Sequence, residues 1–297
     1  MSQALLESRL SRLPAPRRGK VRDIYDLGDQ LLLVASDRVS AFDVVMGEGI
    51  PDKGKVLTQL SAFWFERLGD LVPNHMVSVS SKDLEAIVGE DLPQVAGRGM
   101  IARKTDPVLI ECVARGYLAG SWYKDYASGT REIHGLRLPE NLRNGSQLPE
   151  PIFTPATKND AGHDENISFE AAADQIGFEL ASKLREWTMN IYAEASKHCE
   201  SVGLILADTK FEFGLTEDGP IWIDEALTPD SSRYWTADYV PGDSPPSFDK
   251  QFLRDFLESS GWDKTYPAPE LPQAVIQGTR ERYLDAYRRI TGHDLDL

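Results

Sequence analysis

Between Leu204 and Glu225 the chain alternates. Asp208, Lys210 and Glu212 occupy even positions, while Phe211 and Phe213 occupy odd ones. A period of two places the three charges on one face of a β-strand and the phenylalanines on the other. A helix would bring positions 208 and 212 together and swing 210 away. Turn residues Thr216-Glu217-Asp218-Gly219 follow, and then Ile221-Trp222-Ile223-Asp224-Glu225. The segment 203–225 is therefore predicted to be a hairpin. Such a hairpin gathers Asp208, Lys210, Glu212 and one or both of Asp224 and Glu225 into a small area, with the register left open.

The same pattern predicts other elements. GKVRDIYDLGDQLLLVASD gives two strands, through Val21, Ile24 and Tyr25 and through Leu31 to Ala35, joined by a turn at Gly28-Asp29. HMVSVS, GRGMIARKTD and the start of PVLIECVARGYLAG give further short strands. Apolar residues at helical spacing predict helices over 57–68, 168–201, 248–259 and 272–291. Ser168 is the N-cap of the second of these and Gly177 a point of interruption. A short amphipathic helix is expected over 3–13, ended by Pro14. Residues 139–167 form a long loop rich in Pro, Asn, Gly and Asp. Ile152 and Phe153 inside it favour an ordered, functional loop. The first 110 residues are thus mostly β, and the remainder is mixed.

Composition narrows the partners. The chain has 297 residues and a formal net charge of −15, which disfavours nucleic acid and anionic membranes as partners. Its two cysteines, Cys112 and Cys199, have no paired spacing, so neither a disulfide framework nor a zinc site is expected. Cys199 continues the apolar stripe Leu180, Leu184, Trp187, Ile191, Ala195 and is assigned to the core. No apolar run approaches the roughly 18 residues of a membrane helix, and the N-terminus lacks a signal-peptide pattern. A cytoplasmic monomer is the expectation. The histidines are scattered and, His163 apart, are assigned structural or surface places.

Close carboxylates around one lysine repel unless a cation joins them. Magnesium with ATP phosphates is one solution; a solvated outer face on an edge hairpin is the other reading. Several polar loops favour the first. Gly19-Lys20-Val21-Arg22 puts two cations beside a flexible glycine, as phosphate binding requires, although GxxxxGK[ST] is absent. Arg115-Gly116 and Gly120-Ser121 lie in ECVARGYLAGSW, where Arg115 can grip an anion with two hydrogen bonds. Ser121 can cap a helix there and present backbone N–H groups. Asp230, Ser231, Ser232 and Arg233 form another hydroxyl-and-arginine loop, and Ser36 to Asp43, with Arg38 and Ser40, a third. Together they predict a cleft with several anion grips and one acidic metal patch.

ADTKFEFG, ECVARGYLAGS, GKVRDIYD, SDRVSAFD and TPDSSRYW occur in this chain in the pattern of one family. With FTPATKNDAGHDENIS and FDKQFLRDF, they resemble the longer, yeast-like form of SAICAR synthetase (phosphoribosylaminoimidazole-succinocarboxamide synthase), a ligase of de novo purine synthesis. The resemblance implies that ATP, L-aspartate and carboxyaminoimidazole ribonucleotide (CAIR) give the succinocarboxamide, ADP and phosphate. It also implies a two-lobed α+β fold related to protein kinases and ATP-grasp enzymes. Residues 1–110 would be a β-rich ATP-binding lobe, and 111–297 an α+β lobe for substrate and metal, with ATP between them. Gly19, Lys20 and Arg22 would hold the ATP phosphates, and Ile24 and Val34 would pack on adenine. Glu212 and Asp224 would bind Mg2+. Arg115, Ser121 and Arg233, with Asp230 and Ser232 beside them, would grip CAIR. Asp208 and Lys210 would be catalytic, where nucleotide and carboxylate meet. For aspartate the candidates are Arg38, Ser40 and the loop with Lys158, Asp160, His163 and Asp164. A kinase-like phosphotransferase and an acidic binding protein are the competing readings; H-R-D and D-F-G signatures are absent.

Overall fold

Alternating apolar residues and a Gly-Asp turn make the N-terminal part a meander. The computed structural model describes residues 3–158, 165–243, 245, 247–248 and 250–296. Strands β1 (Arg17–Arg18), β2 (Arg22–Asp26) and β3 (Gln30–Ala35) are followed by a separate hairpin, β4 (Arg38–Ala41) and β5 (Val44–Gly49). Helix α1 (Lys53–Arg67) precedes β6 (Met76–Ser78), α2 (Ser81–Val88), α3 (Leu92–Val95) and β7 (Gly99–Arg103). The first sheet is antiparallel, in the order β1-β2-β3-β7-β6. Both its faces are covered. Ile24 and its partner Leu33 lie against the central core, whereas Tyr25, Leu32 and Val34 lie in a second cluster with Leu10, Leu84 and Val88.

Residues 3–13 do not form the expected helix. Buried carboxylates take the backbone donors that a helix would use. Asp37 accepts from the Leu5 amide at 2.7 Å, and Asp23 from the Ser8 amide at 2.7 Å. Leu10 is buried, with Leu5 and Leu13 packed beside it, so the segment runs as a strap along the sheet.

The second sheet begins at β8 (Asp106–Pro107), so the chain crosses between sheets over residues 104–105. It continues with β9 (Ile110–Tyr117), α4 (Gly120–Ala127) and a small hairpin, β10 (Glu132–Ile133) and β11 (Leu136–Arg137). The stretch expected as a loop supplies two strands, β12 (Gln147–Phe153) and β13 (Ala156–Thr157), both paired with β9. Residues 159–164 lie outside the described residues, with Asp160, His163 and Asp164 among them. Helices α5 (Phe169–Ile176) and α6 (Phe178–Ser201) meet at Gly177, and the Ser168 hydroxyl caps the first by accepting from the Ala171 amide at 3.1 Å. The expected hairpin is β14 (Leu204–Thr216) and β15 (Gly219–Ile223), followed by β16 (Ser232–Thr236), α7 (Gln251–Ser259) and α8 (Gln273–Thr291).

β14 is the spine of this sheet, pairing with β9, β15, β16 and β8. A register shift between Leu206 and Asp208 changes which positions face inward. Leu204 and Leu206 are core before it, and Phe211 and Phe213 after it. The bulge thus explains how an apolar run passes into alternating charges. One central cluster joins both sheets through Trp64, Met100, Phe211 and Trp222. Helix α8 is tied back to α1, with Arg280 bonded to Asp52 at 2.6 Å. Among the described residues no helix is long and apolar enough to cross a membrane.

Candidate active site

Asp208, Lys210 and Glu212 follow the bulge on β14 and share the face opposite Phe211 and Phe213. At about 3.3 Å per residue they stand roughly 7 Å apart along the strand. Each is paired with opposite charge from outside β14.

At one end Asp208 is buried between two arginines. Arg115 on β9 donates through Nη1 at 3.0 Å, and Arg233 on β16 donates through its Nη1 to both carboxylate oxygens at 2.8 and 2.6 Å. The strand registers place Asp208 opposite both residues. Arg115 also bonds Thr154 Oγ1 at 2.9 Å and is buried. The two glycines of ARGYLAGS make this packing possible. A Cβ on Gly116 would lie 2.1 Å from the Tyr192 hydroxyl, and one on Gly120 would lie 2.7 Å from Arg233 Nη2. Arg233, Gly120 and Ser121 line a cavity of about 590 Å3 with Ser40, Asp43 and Lys250.

The other end gathers lysines and carboxylates. Lys210 bonds Glu111 and lies 3.6 Å from Glu212, which also bonds Lys158. Burial by itself would lower the Lys210 pKa, but Glu111 and Glu212 outweigh it and hold the ammonium above its ordinary value. Burial would likewise raise Glu212, yet Lys210, Lys158 and Arg22 hold it below the usual carboxylate value. Both groups are therefore charged at neutral pH. Arg22 bonds Asp224 and lies 3.2 Å from Glu225. Asp224 follows β15 with a φ of 68°, directly after Ile223, the partner of Glu212. Among the described residues no group of three metal-ligating side chains is arranged as a cage. Two hard carboxylates nevertheless fit magnesium, which keeps several waters and takes further oxygens from phosphates.

Other expected residues fall in different places. Lys20 reaches Asp43 at the tip of the β4–β5 hairpin, 2.5 Å away, while Arg22 points to Asp224. Ser40 lines the cavity, whereas Arg38 is turned onto the Gly19 and Lys20 carbonyls. Arg115 stands behind Asp208 and does not line the cavity. Ser121 is not the helix cap; Ala119 holds that position and α4 starts at Gly120. Asp230, expected to touch substrate, is buried beneath its loop. It accepts from Lys53 at 2.8 Å and from Tyr283 at 2.5 Å, with Lys250 at 3.2 Å. The Ser232 hydroxyl is buried too, 2.8 Å from Thr209 Oγ1. Ile24 faces the central core between the sheets, but Val34 faces away from it, and Leu33 takes the place expected for Val34. Sequence reasoning missed Glu111, whose signal is a lone charge in the apolar run VLIECVA. It also missed Lys53, which is 0% exposed and carries no signal in GIPDKGK.

The profile of the family described as SAICAR synthetase matches residues 16–269. The chain belongs to the SAICAR synthetase family. A phosphoribosylaminoimidazole-succinocarboxamide synthase of Geotalea uraniireducens (strain Rf4) is 51% identical over 294 residues, covering 98% of this chain and 99% of that protein. Its counterpart in Trichlorobacter lovleyi is 52% identical over the same length, with the same coverage. Among solved structures, the SAICAR synthase of Saccharomyces cerevisiae complexed with SAICAR superposes with a TM-score of 0.88 at 40% identity, over 99% of this chain and 100% of that one. A SAICAR synthetase in complex with ADP gives a TM-score of 0.69 at 26% identity, over 95% of this chain and 100% of that one. The family's two-lobed α+β architecture is thus that of this chain.

Proposed function

We propose that this chain joins L-aspartate to CAIR at the expense of ATP, giving SAICAR, ADP and phosphate. The observation that carries the reading is the row on β14. An arginine grip held in place by Asp208 and a carboxylate pair at Glu212 and Asp224 flank one charged lysine, Lys210. A carboxylate is a poor acyl donor, because its leaving group would be oxide. Attack of the CAIR carboxylate oxygen on the γ-phosphorus, with ADP leaving, gives an acyl phosphate. The aspartate amine then attacks the acyl carbon, phosphate leaves, and the nitrogen gives up a proton as the amide forms.

In this reading residues 1–110 supply the nucleotide side and 111–297 the substrate side. Lys20 and Arg22 bind ATP phosphates, and Ile24 with Leu33 offers the apolar surface. Arg233 and Ser121 hold the CAIR phosphate, and Asp208, braced by Arg115, aims Arg233. Lys210, kept charged by Glu111, stabilises negative charge developing at the reacting oxygens. Glu212 and Asp224 would hold magnesium, whose charge would offset that of the phosphates. Small-molecule substrates, rather than nucleic acid, suit a net charge of −15.

The test is phosphate release from purified protein with Mg-ATP, aspartate and CAIR, each omitted in turn, with the amide followed by mass spectrometry. Release that requires all three, with SAICAR formed, is the expected result. Phosphate or a phosphorylated acceptor without aspartate, and no amide, would replace this reading with a phosphotransferase. Glu212→Gln should raise the magnesium requirement; an unchanged magnesium dependence would remove Glu212 from the metal site.

A further inference from the structure

The Gly19–Lys20 segment is fastened from below by a guanidinium that bonds its backbone carbonyls. Arg38 opens β4, and its side chain is only 12% exposed. Its Nε donates to the Lys20 carbonyl at 3.2 Å and its Nη2 to the Gly19 carbonyl at 3.1 Å. Nη2 also donates to Asp23 Oδ1 at 2.8 Å, and Nη1 donates to the Leu6 carbonyl. One guanidinium therefore joins the Lys20 segment, strand β2 and the N-terminal strap.

The anchor is itself anchored. The other oxygen of Asp23 accepts from the Ser8 amide at 2.7 Å and its hydroxyl at 2.8 Å. Asp37, next to Arg38, accepts from the Leu5 amide, and the Asp37 amide donates back to the Leu5 carbonyl, both at 2.7 Å. The Lys20 side chain, by contrast, is 56% exposed and among the described residues reaches only the hairpin tip at Asp43. A long exposed lysine keeps much rotamer freedom, so what the fold can set in advance is its backbone. Setting it before binding lowers the ordering cost when a ligand arrives.

We propose that Arg38 is a positioning residue: with Asp23 and the strap at residues 5–8, it presets the Gly19–Lys20 segment for the nucleotide phosphates. This rests on the reading of Lys20 as a phosphate-binding residue. Lysine in place of Arg38 keeps a charge beside Asp23 but cannot span the same acceptors.

The experiment is a double-mutant cycle on the full-length enzyme, joined to amide hydrogen exchange. Arg38→Lys should raise KM for ATP about tenfold while leaving KM for aspartate unmoved. In a Lys20→Ala background the same change should add less than about twofold, because its effect passes through Lys20. Exchange at the amides of residues 18–22 should quicken in Arg38→Lys. Effects that multiply in the double variant would overturn the proposal, as would KM values for all three substrates rising together with a fall in Tm. If Lys20→Ala leaves KM for ATP unchanged, the phosphate reading of Lys20 falls instead. Arg38 is then judged on exchange alone, and unchanged exchange in Arg38→Lys refutes the fastening.

Discussion

Asp208 holds Arg233 by a single nitrogen, Nη1, which lies within 2.8 Å of both carboxylate oxygens. Gly120 lies against the same guanidinium at the cavity wall, where a Cβ would stand 2.7 Å from Nη2 and 3.3 Å from Nη1. Asp208 thus fixes where the Arg233 side chain points, the role proposed for it above. Arg233→Ala should raise KM for CAIR by about a hundredfold, close to 3 kcal/mol. Arg233→Lys should recover only part, since a point charge lacks the fork. Steady-state kinetics decide it: an unchanged KM for CAIR would remove Arg233 from the substrate grip.

Glu111 sits on β9 with little exposure and bonds Lys210. Taking its charge away removes the main source of the raised Lys210 pKa and leaves the ammonium free to turn to Glu212. Glu111→Gln should lower kcat by about tenfold or more with modest change in KM, at a stability cost of about 1–2 kcal/mol. Loss of stability without loss of kcat would make the pair purely structural.

Gly120 has a φ of 62°, and a Cβ there would meet Arg233 Nη2 at 2.7 Å. Gly129, at φ 105°, has open space around it. Alanine at either position should cost about 1 kcal/mol or more through backbone strain. Only Gly120→Ala should also raise KM for CAIR, because Arg233 must move. Equal KM values in the two variants would separate Gly120 from the substrate grip.

How far the sequence carried depended on whether one pattern had one solution. The period of two through Asp208, Lys210 and Glu212 has one, and the hairpin partner followed from its turn. Val34 and Leu33 had two solutions, because the first sheet is buried on both faces and alternation no longer says which face is the cleft. Residues 3–13 have helical spacing, but long-range carboxylates at Asp23 and Asp37 outbid the local bonds. Arg38 and Asp230 looked like free anion and substrate contacts because loop position says nothing of burial. Their partners, the Gly19 and Lys20 carbonyls and the Lys53 ammonium, come from distant parts of the chain that only folding brings near.

His75 gives the fold a defined acid sensitivity. It is buried against Phe65, with ring centroids 5.3 Å apart, and its Nε2 has no hydrogen-bond partner among the described residues. Burial, helped by the Arg22 charge, pushes His75 from 6.5 down to about 3. The unfolded chain takes up a proton near 6.5, and the folded chain does not until about 3. Between those values the unfolded state binds more protons, so stability falls as pH falls. Carboxylates held low, such as Glu212, lose their contribution only below their unfolded value of 4.5. The window from pH 7 to 5 therefore belongs to histidine, and His75 should remove about 2 kcal/mol across it. His75→Phe keeps an aromatic ring in the cluster and removes the titration. Urea unfolding at both pH values should show the wild-type loss exceeding the variant's by that amount. Parallel losses in the two proteins would mean that His75 is protonated in the folded state or reached by water.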